Sequence, residues 1–244
     1  MKLALFGLGG MGALVEKRAR EAGHEVVARF DERDAARPWK EIAAALERAG
    51  LDAAVDFSIG SAVPDHVRSC VEAGVPLVEG TTGWHTQLAA VRETVERGGG
   101  ALVHGANFSV GVNLFYRVVA KAAAEFSRDP AYAPFLEEAH HDRKKDAPSG
   151  TALKLKDLVA RAWGGRDVPV ASTRAGHIPG THRVGFDGPA DQITLTHEAR
   201  SREGFAAGAL LAARWISAPP RRRGVFEFAD VLDEILGSPK ETGP

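Results

Sequence analysis

Short apolar runs alternate with amphipathic helical patterns over the first hundred residues, and that rhythm leaves few folds open. Segments 3–6, 25–30, 53–57, 76–79 and 101–104 read as strands, being short, apolar and bounded by turn residues. Segments 12–22, 39–49, 63–73 and 87–97 return apolar residues every three or four positions and read as helices. Strands joined in series by helices run parallel and bury both of their faces. The expectation is an α/β fold built on a Rossmann-like doubly wound parallel sheet.

The pattern changes after Asn113. A helix to about residue 126, a strand near 135–141 and a helix over 149–163 precede a polar stretch with strand character. Within that stretch Asp187-Gly188-Pro189 separates 181–186 from 192–199, as the turn of an antiparallel hairpin does. This predicts a second, α+β domain with a mixed or antiparallel sheet. Helical patterns return at 205–216 and 229–236, segment 218–223 reads as a basic connector, and 238–244, which lacks apolar content, is expected to fray. The expected division is a dinucleotide-binding domain from 1–106 and 217–244, with a substrate-binding and oligomerisation domain over 107–216.

Composition supports two cores and excludes some partners. The chain has 244 residues, 44% of them hydrophobic, enough to bury both domains. A net charge of −1 gives no global field toward nucleic acid or an anionic membrane, so any anion site must be local. No stretch approaches the roughly 20 apolar residues of a membrane span, and the apolar run at the N-terminus is too short for a signal peptide. A cytoplasmic location is expected. The single Cys70 has no partner for an intramolecular disulfide and reads as a buried, inert thiol.

Gly7-Leu8-Gly9-Gly10-Met11-Gly12 follows the first strand and opens the first helix, the context a dinucleotide loop requires. Gly7 permits the tight turn, Gly9 lets backbone approach a pyrophosphate, and Gly12 lets the helix pack on the strand. Asp31 ends the second strand, where an acid accepts hydrogen bonds from adenosine ribose hydroxyls. Asp31 and Glu32 repel a 2′-phosphate, whereas Arg33, or an outward-turned Arg29, would pair with one. The cofactor is therefore NADH or NADPH, with NADH favoured. Two more loops fall at strand ends, Gly80-Thr81-Thr82-Gly83 and Gly105-Ala106-Asn107-Phe108-Ser109. Their small residues suit the nicotinamide ribose and carboxamide, and Asn107 offers a paired donor and acceptor.

A denser stretch runs from Glu138 to Ala152: Glu138-Ala139-His140-His141-Asp142-Arg143-Lys144-Lys145-Asp146-Ala147-Pro148-Ser149-Gly150-Thr151-Ala152. Imidazole suits proton transfer near neutral pH, clustered Lys and Arg suit an anion, and a helix opening at Pro148-Ser149-Gly150-Thr151 presents backbone amides to a carboxylate. The remaining histidines read otherwise. His24, His66 and His85 are expected at the surface and His104 in a structural hydrogen bond. His177, His182 and His197 lack the compact spacing of a metal site, so no metal is expected. Trp39, Trp84, Trp163 and Trp215 read as packing residues.

Together these motifs resemble the 4-hydroxy-tetrahydrodipicolinate (dihydrodipicolinate) reductase family. The residues from Glu138 to Ala152 carry the resemblance most specifically. The glycine loop, Gly80–Gly83, Ala106-Asn107-Phe108-Ser109-Val110-Gly111-Val112-Asn113, Arg174-Ala175-Gly176 with Gly180 and His182, Gly208-Ala209 and Asp230-Val231-Leu232 support it in order and spacing. The resemblance implies NADH- or NADPH-dependent reduction of a dicarboxylate ring in lysine and diaminopimelate synthesis, by a homotetramer joined through the second domain's sheet. It implies His140 as the catalytic acid, Lys144 as a second proton donor or electrostatic partner, and His141, Gly150 and Thr151 as ligands of the substrate carboxylates. Two departures weaken selectivity for NADPH: Gly10 runs straight into Met11 where many members insert a basic residue, and Glu32 stands where an arginine often follows the acid. A related aspartate or sugar dehydrogenase would not need the paired His140-His141, and a nucleotide sensor would not need a proton donor beside an anion site.

Overall fold

The computed structural model describes residues 1–34 and 37–237, and the chain divides into two compact units, 1–109 with 203 onward, and 110–202. The terminal segment expected to fray lies outside the described residues.

The first unit holds six parallel strands: β1 (Lys2–Phe6), β2 (Glu25–Phe30), β3 (Ala53–Asp56), β4 (Leu77–Glu79), β5 (Ala101–His104) and β10 (Gly224–Glu227), in the order β10-β5-β4-β3-β1-β2. β3, β4 and β5 are buried at every position, which is why they appear in the sequence as unbroken apolar runs rather than alternating ones. On one face Ala4, Phe6, Ala54, Leu77 and Leu102 pack against α2 (Trp39–Ala49), α3 (Val63–Glu72) and α4 (Leu88–Arg97). Helices α1 (Gly10–Glu21) and α7 (Glu203–Ser217) pack together, with α7 also against β3, β4 and β5. The order reverses between β1 and β3, and the carboxyl ends of those two strands form the crevice where ligands of open α/β sheets bind.

Two assignments change. Residues 107–109 and α7, expected in the second domain, belong to the first unit. Ala206, Ala209, Ala212 and Ala213 are fully buried, and Gly208 brings the α7 backbone so close to the carbonyl oxygen of Phe108 that a Cβ there would collide with it. β10, unanticipated, is a four-residue edge strand whose residues are only partly covered, so it shows no buried run. Helix α8 (Phe228–Leu236) follows it.

The second unit has a four-stranded mixed sheet of order β7-β6-β8-β9, formed by β6 (Ala133–His140), β7 (Val170–Arg174), β8 (Thr181–Asp187) and β9 (Gln192–Glu198). β6 and β7 are parallel, while β6–β8 and β8–β9 are antiparallel. Helices α5 (Val110–Phe126) and α6 (Gly150–Ala162) pack on it, with Val112, Tyr116, Val119, Leu155 and Val159 meeting Leu136, Val184 and Phe186. The expected hairpin is β8–β9, closed by the Gly188 amide donating to the Asp191 carbonyl. Along β6, Leu136, Glu138 and His140 alternate onto the buried face.

Candidate functional site

In the first unit the glycine loop is built by close backbone approach. Gly7 sits at φ +81°, where a side chain is strained, and a Cβ on it would strike the Phe57 carbonyl. A Cβ on Gly12 would strike the carbonyl oxygen of Gly7, whereas Gly9 and Gly10 face open space. Gly9 caps α1 without a side-chain hydrogen bond, and no acid occupies the first turn, so that helix end favours an anion. Gly7, Leu8, Gly9, Asp31 and Ile59 line a cavity of about 590 Å³ at the switch point. A turn with no room for a Cβ at Gly7 or Gly12, open space over Gly9 and Gly10, an uncapped helix start and an acid at the end of β2 together fit a dinucleotide.

Charge around Asp31 is already organised. Arg33 donates to the Asp31 carboxylate from its backbone amide at 2.9 Å and its guanidinium at 2.6 Å, and these bonds hold the Asp31 carboxyl below its usual pKa. Arg29 turns away and pairs with Glu16 at 2.6 Å. Of the two arginines considered for a 2′-phosphate, only Arg33 lies at the cavity wall.

The other first-unit residues singled out from sequence behave less uniformly. Gly80, Thr81, Thr82 and Gly105 stand at the ends of β4 and β5 and do not line this cavity. The Phe108 ring is fully buried against Phe228, 4.6 Å between centroids, so it packs the core and leaves only its backbone for a ligand. Asn107 Oδ1 accepts the Ser109 amide at 2.8 Å, which fixes the orientation of the side chain and uses one of the two lone pairs of that oxygen. Trp84 is buried and donates to the Thr81 carbonyl at 2.9 Å, pinning the 80–83 loop. His104, expected in a structural hydrogen bond, instead packs edge-on against Trp84 with its buried Nε2 unpartnered among the described residues, and burial lowers its pKa.

His66 corrects the expectation of a surface residue. It is 5% exposed, stacks on Phe6, and its Nδ1 lies 2.6 Å from Asp56 Oδ2. The Asp56 carboxylate also takes the Ser58 amide and the Thr81 hydroxyl, while Glu79 Oε1 accepts the Thr81 amide at 2.7 Å. Burial, reinforced by the charge of Asp56, pushes the Glu79 carboxyl well up. An acid at one strand end and a histidine ten residues on, inside the next helix, was the available signal.

In the second unit the residues from His140 to Thr151 do come together. His140, at the end of β6, is 8% exposed, with Nδ1 against the carboxylate of Glu138. Arg174 Nη2 binds Glu138 Oε1 at 2.7 Å and also donates to the Asp146 carbonyl. Lys144 Nζ lies 2.7 Å from the Asp146 carboxylate. Ser149 caps α6, accepting the Ala152 amide at 3.2 Å, and lies 3.1 Å from His182 Nε2. Gly150 opens that helix with nothing where a Cβ would stand, and Thr151 hydrogen-bonds the buried Tyr116. His141 is half-buried, and Arg143 and Lys145 are exposed.

Electrostatics divides these groups. Burial lowers the pKa of His140; Glu138 works against that shift, and Lys144 and Arg174 add to it. His182 is pushed down to about 4, chiefly by burial and then by His140, so its ring is neutral at pH 7. Glu138, His140 and His182 bring three metal-type ligand atoms within 4.8 Å of one another. That trio is different from the His177, His182 and His197 weighed in the sequence. Arg174 already binds its carboxylate and Lys144 adds positive charge, so the local field opposes a dication.

Comparison with known proteins covers both units. Descriptions of "Dihydrodipicolinate reductase, N-terminus" and "Dihydrodipicolinate reductase, C-terminus" match residues 1–108 and 111–232. A 4-hydroxy-tetrahydrodipicolinate reductase of Christiangramia forsetii is 32% identical over 97% of this chain and 99% of its own. One from Myxococcus xanthus is 38% identical over 77% of this chain and 74% of its own. The dipicolinate-bound dihydrodipicolinate reductase from Paenisporosarcina sp. TG-14 shares the fold, with a TM-score of 0.78 at 21% identity over 95% of this chain and 99% of that one. Matched along both units and over nearly its whole length, the chain belongs to the dihydrodipicolinate reductase family.

Proposed function

We propose that the chain reduces the dihydrodipicolinate-type ring derived from 4-hydroxy-tetrahydrodipicolinate to tetrahydrodipicolinate, using NADH or NADPH, in lysine and diaminopimelate synthesis. The observation that carries this is the buried His140 beside the Lys144 ammonium and the Ser149-capped start of α6, an acid and an anion site built from one stretch of chain. The glycine loop and Asp31 would hold the dinucleotide, which supplies a hydride when bound. Hydride addition leaves an electron pair on the substrate's conjugated ring, and protonation by His140 quenches it, with Lys144 stabilising the charge as it develops. His141, Gly150 and Thr151 hold the carboxylates, using the positive end of α6. Freshly prepared ring substrate is expected to drive loss of NADH absorbance in the near ultraviolet, and no loss above the substrate-free control refutes the reading.

The cofactor preference follows from Asp31. With Arg29 committed to Glu16 and Arg33 bound to Asp31, a 2′-phosphate meets an acid and an already paired cation. NADH is expected to give a kcat/KM at least equal to that of NADPH. A strong preference for NADPH in steady-state kinetics would show that Arg33 leaves Asp31 to bind the phosphate.

A homotetramer joined through the outer face of the second sheet completes the proposal, supported by the exposed row Gln192, Thr194, Thr196 and Glu198 on β9. Light scattering that gives the mass of a single chain overturns it. No helix among the described residues is long and apolar enough to cross a membrane, which fits a cytoplasmic enzyme.

A further inference from the structure

We propose that Glu138 is the positioning residue for His140: braced by Arg174, its carboxylate holds the imidazole with Nδ1–H inward and leaves Nε2 as the nitrogen that delivers the proton. The proposal rests on His140 being the acid, and it adds the group that makes His140 one.

The geometry begins with the strand. Glu138 and His140 are two residues apart on β6, so their side chains leave the same buried face. The Glu138 side chain is 0% exposed, and a buried carboxylate persists only when its oxygens are matched. Arg174, which sits opposite His140 in the β6–β7 register, takes Oε1 at 2.7 Å, while Oε2 lies in close charge contact with His140 Nδ1 without a directed hydrogen bond, a contact that a small turn of the imidazole would complete. Burial alone would raise the Glu138 carboxyl, but Arg174, the Ser172 hydroxyl and His140 outweigh it and hold it below the usual carboxylate range. An ionised carboxylate only accepts, so its approach to Nδ1 favours the tautomer with the proton on that nitrogen.

The opposite side of the ring is kept clear. Gly180, at φ +135°, leaves the space beside His140 Nε2 unfilled, and a Cβ there would lie 3.2 Å from it. The His182 ring stands edge-on at 5.1 Å and is neutral at pH 7. The charged groups facing His140 are therefore Glu138 on β6, Arg174 on β7 and Lys144 on the loop before α6. Two are cations that oppose an imidazolium, and Glu138 alone supports it.

Glu138→Gln keeps the shape and an oxygen for Arg174 while removing the charge. A general acid works below its pKa and is lost as pH rises through it, so a lower His140 pKa moves the descending limb of the kcat–pH profile to lower pH. Removing a nearby opposite charge is expected to move it by about one to three units, with about tenfold less activity at neutral pH for each unit and recovery at low pH. Glu138→Asp, which keeps the charge, is expected to restore much of the limb. In parallel, imidazole 15N NMR of the ligand-free protein, with His140 assigned by its disappearance in His140→Ala, is expected to show Nδ1–H in the wild type and a titration displaced downward in Glu138→Gln.

An unchanged profile and titration overturns the proposal. So does a loss of rate that is uniform at every pH with His140 titrating as before, because a merely structural role gives that result. Full activity in His140→Ala would instead remove the acid assignment, while the NMR titration would still decide whether Glu138 governs His140.

Discussion

His140→Ala is expected to lower kcat by about 10²-fold or more, the scale of losing a positioned general acid, and to leave NADH affinity nearly intact. The second half of that expectation comes from topology. His140 belongs to the 110–202 unit, whereas the glycine loop, Asp31 and the cavity at the switch point all belong to the other. Losing the imidazole removes the proposed proton donor and leaves the glycine loop and Asp31, the proposed dinucleotide residues, unchanged. Lys144→Ala is expected to fall on the same scale, but by another route, since Lys144 is partly exposed and paired with Asp146 and contributes charge rather than a buried, oriented donor. Single-turnover kinetics with fluorescence titration of NADH separates the two effects. Rates like the wild type in both variants would place the chemistry elsewhere.

The second large effect is expected at Gly12. Its Cα lies where the first turn of α1 crosses the Gly7 carbonyl, and the obstructing atom is backbone, which cannot rotate aside as a side-chain tip does. Gly12→Ala must push α1 off β1 or open the turn at Gly7, and overpacking of this kind costs about 1–3 kcal/mol. The helix start proposed to hold the pyrophosphate moves with it. NADH affinity is expected to collapse while the second unit keeps its fold, which calorimetric titration and urea unfolding monitored together will show. Gly9→Ala, by contrast, meets open space and is expected to leave stability unchanged. Unaltered NADH binding in Gly12→Ala would mean that the loop tolerates a wider turn than its backbone suggests.

Legibility of the fold followed burial. β1, β3, β4 and β5 were readable because strands covered on both faces carry nearly uninterrupted apolar residues. The edge strand β2 was readable through Val26, Val27 and Phe30, whereas β10, a four-residue edge strand with no buried position, carries no such signature. α7 was readable as a helix but not as part of the first unit, because its buried alanines say that it is covered and not by what. The proposed substrate residues were legible as a cluster for a related reason. His140, Lys144, Ser149 and Gly150 lie in one short stretch, so local sequence already holds their neighbourhood. Arg174 and His182 reach the same site through sheet pairing, and His66 meets Asp56 through packing of α3 on β3. Glu138 stood in plain view, and its partnership with His140 was implicit in strand alternation once both were placed on β6.

The order in which the ribosome releases this chain runs against the order of its units. Residues 110–202 form a contiguous block that can collapse as soon as it emerges, whereas the dinucleotide unit waits for α7 and β10 from the last part of the chain. Until α7 arrives, the β3–β5 part of the nascent parallel sheet lacks that helix as cover, although α1 already lies against β1 and β2. The glycine loop, synthesised well before α7 and β10, thus waits for both before its unit is complete. Translation halted after residue 202 is expected to release a folded substrate unit tethered to an incomplete, adhesive nucleotide unit.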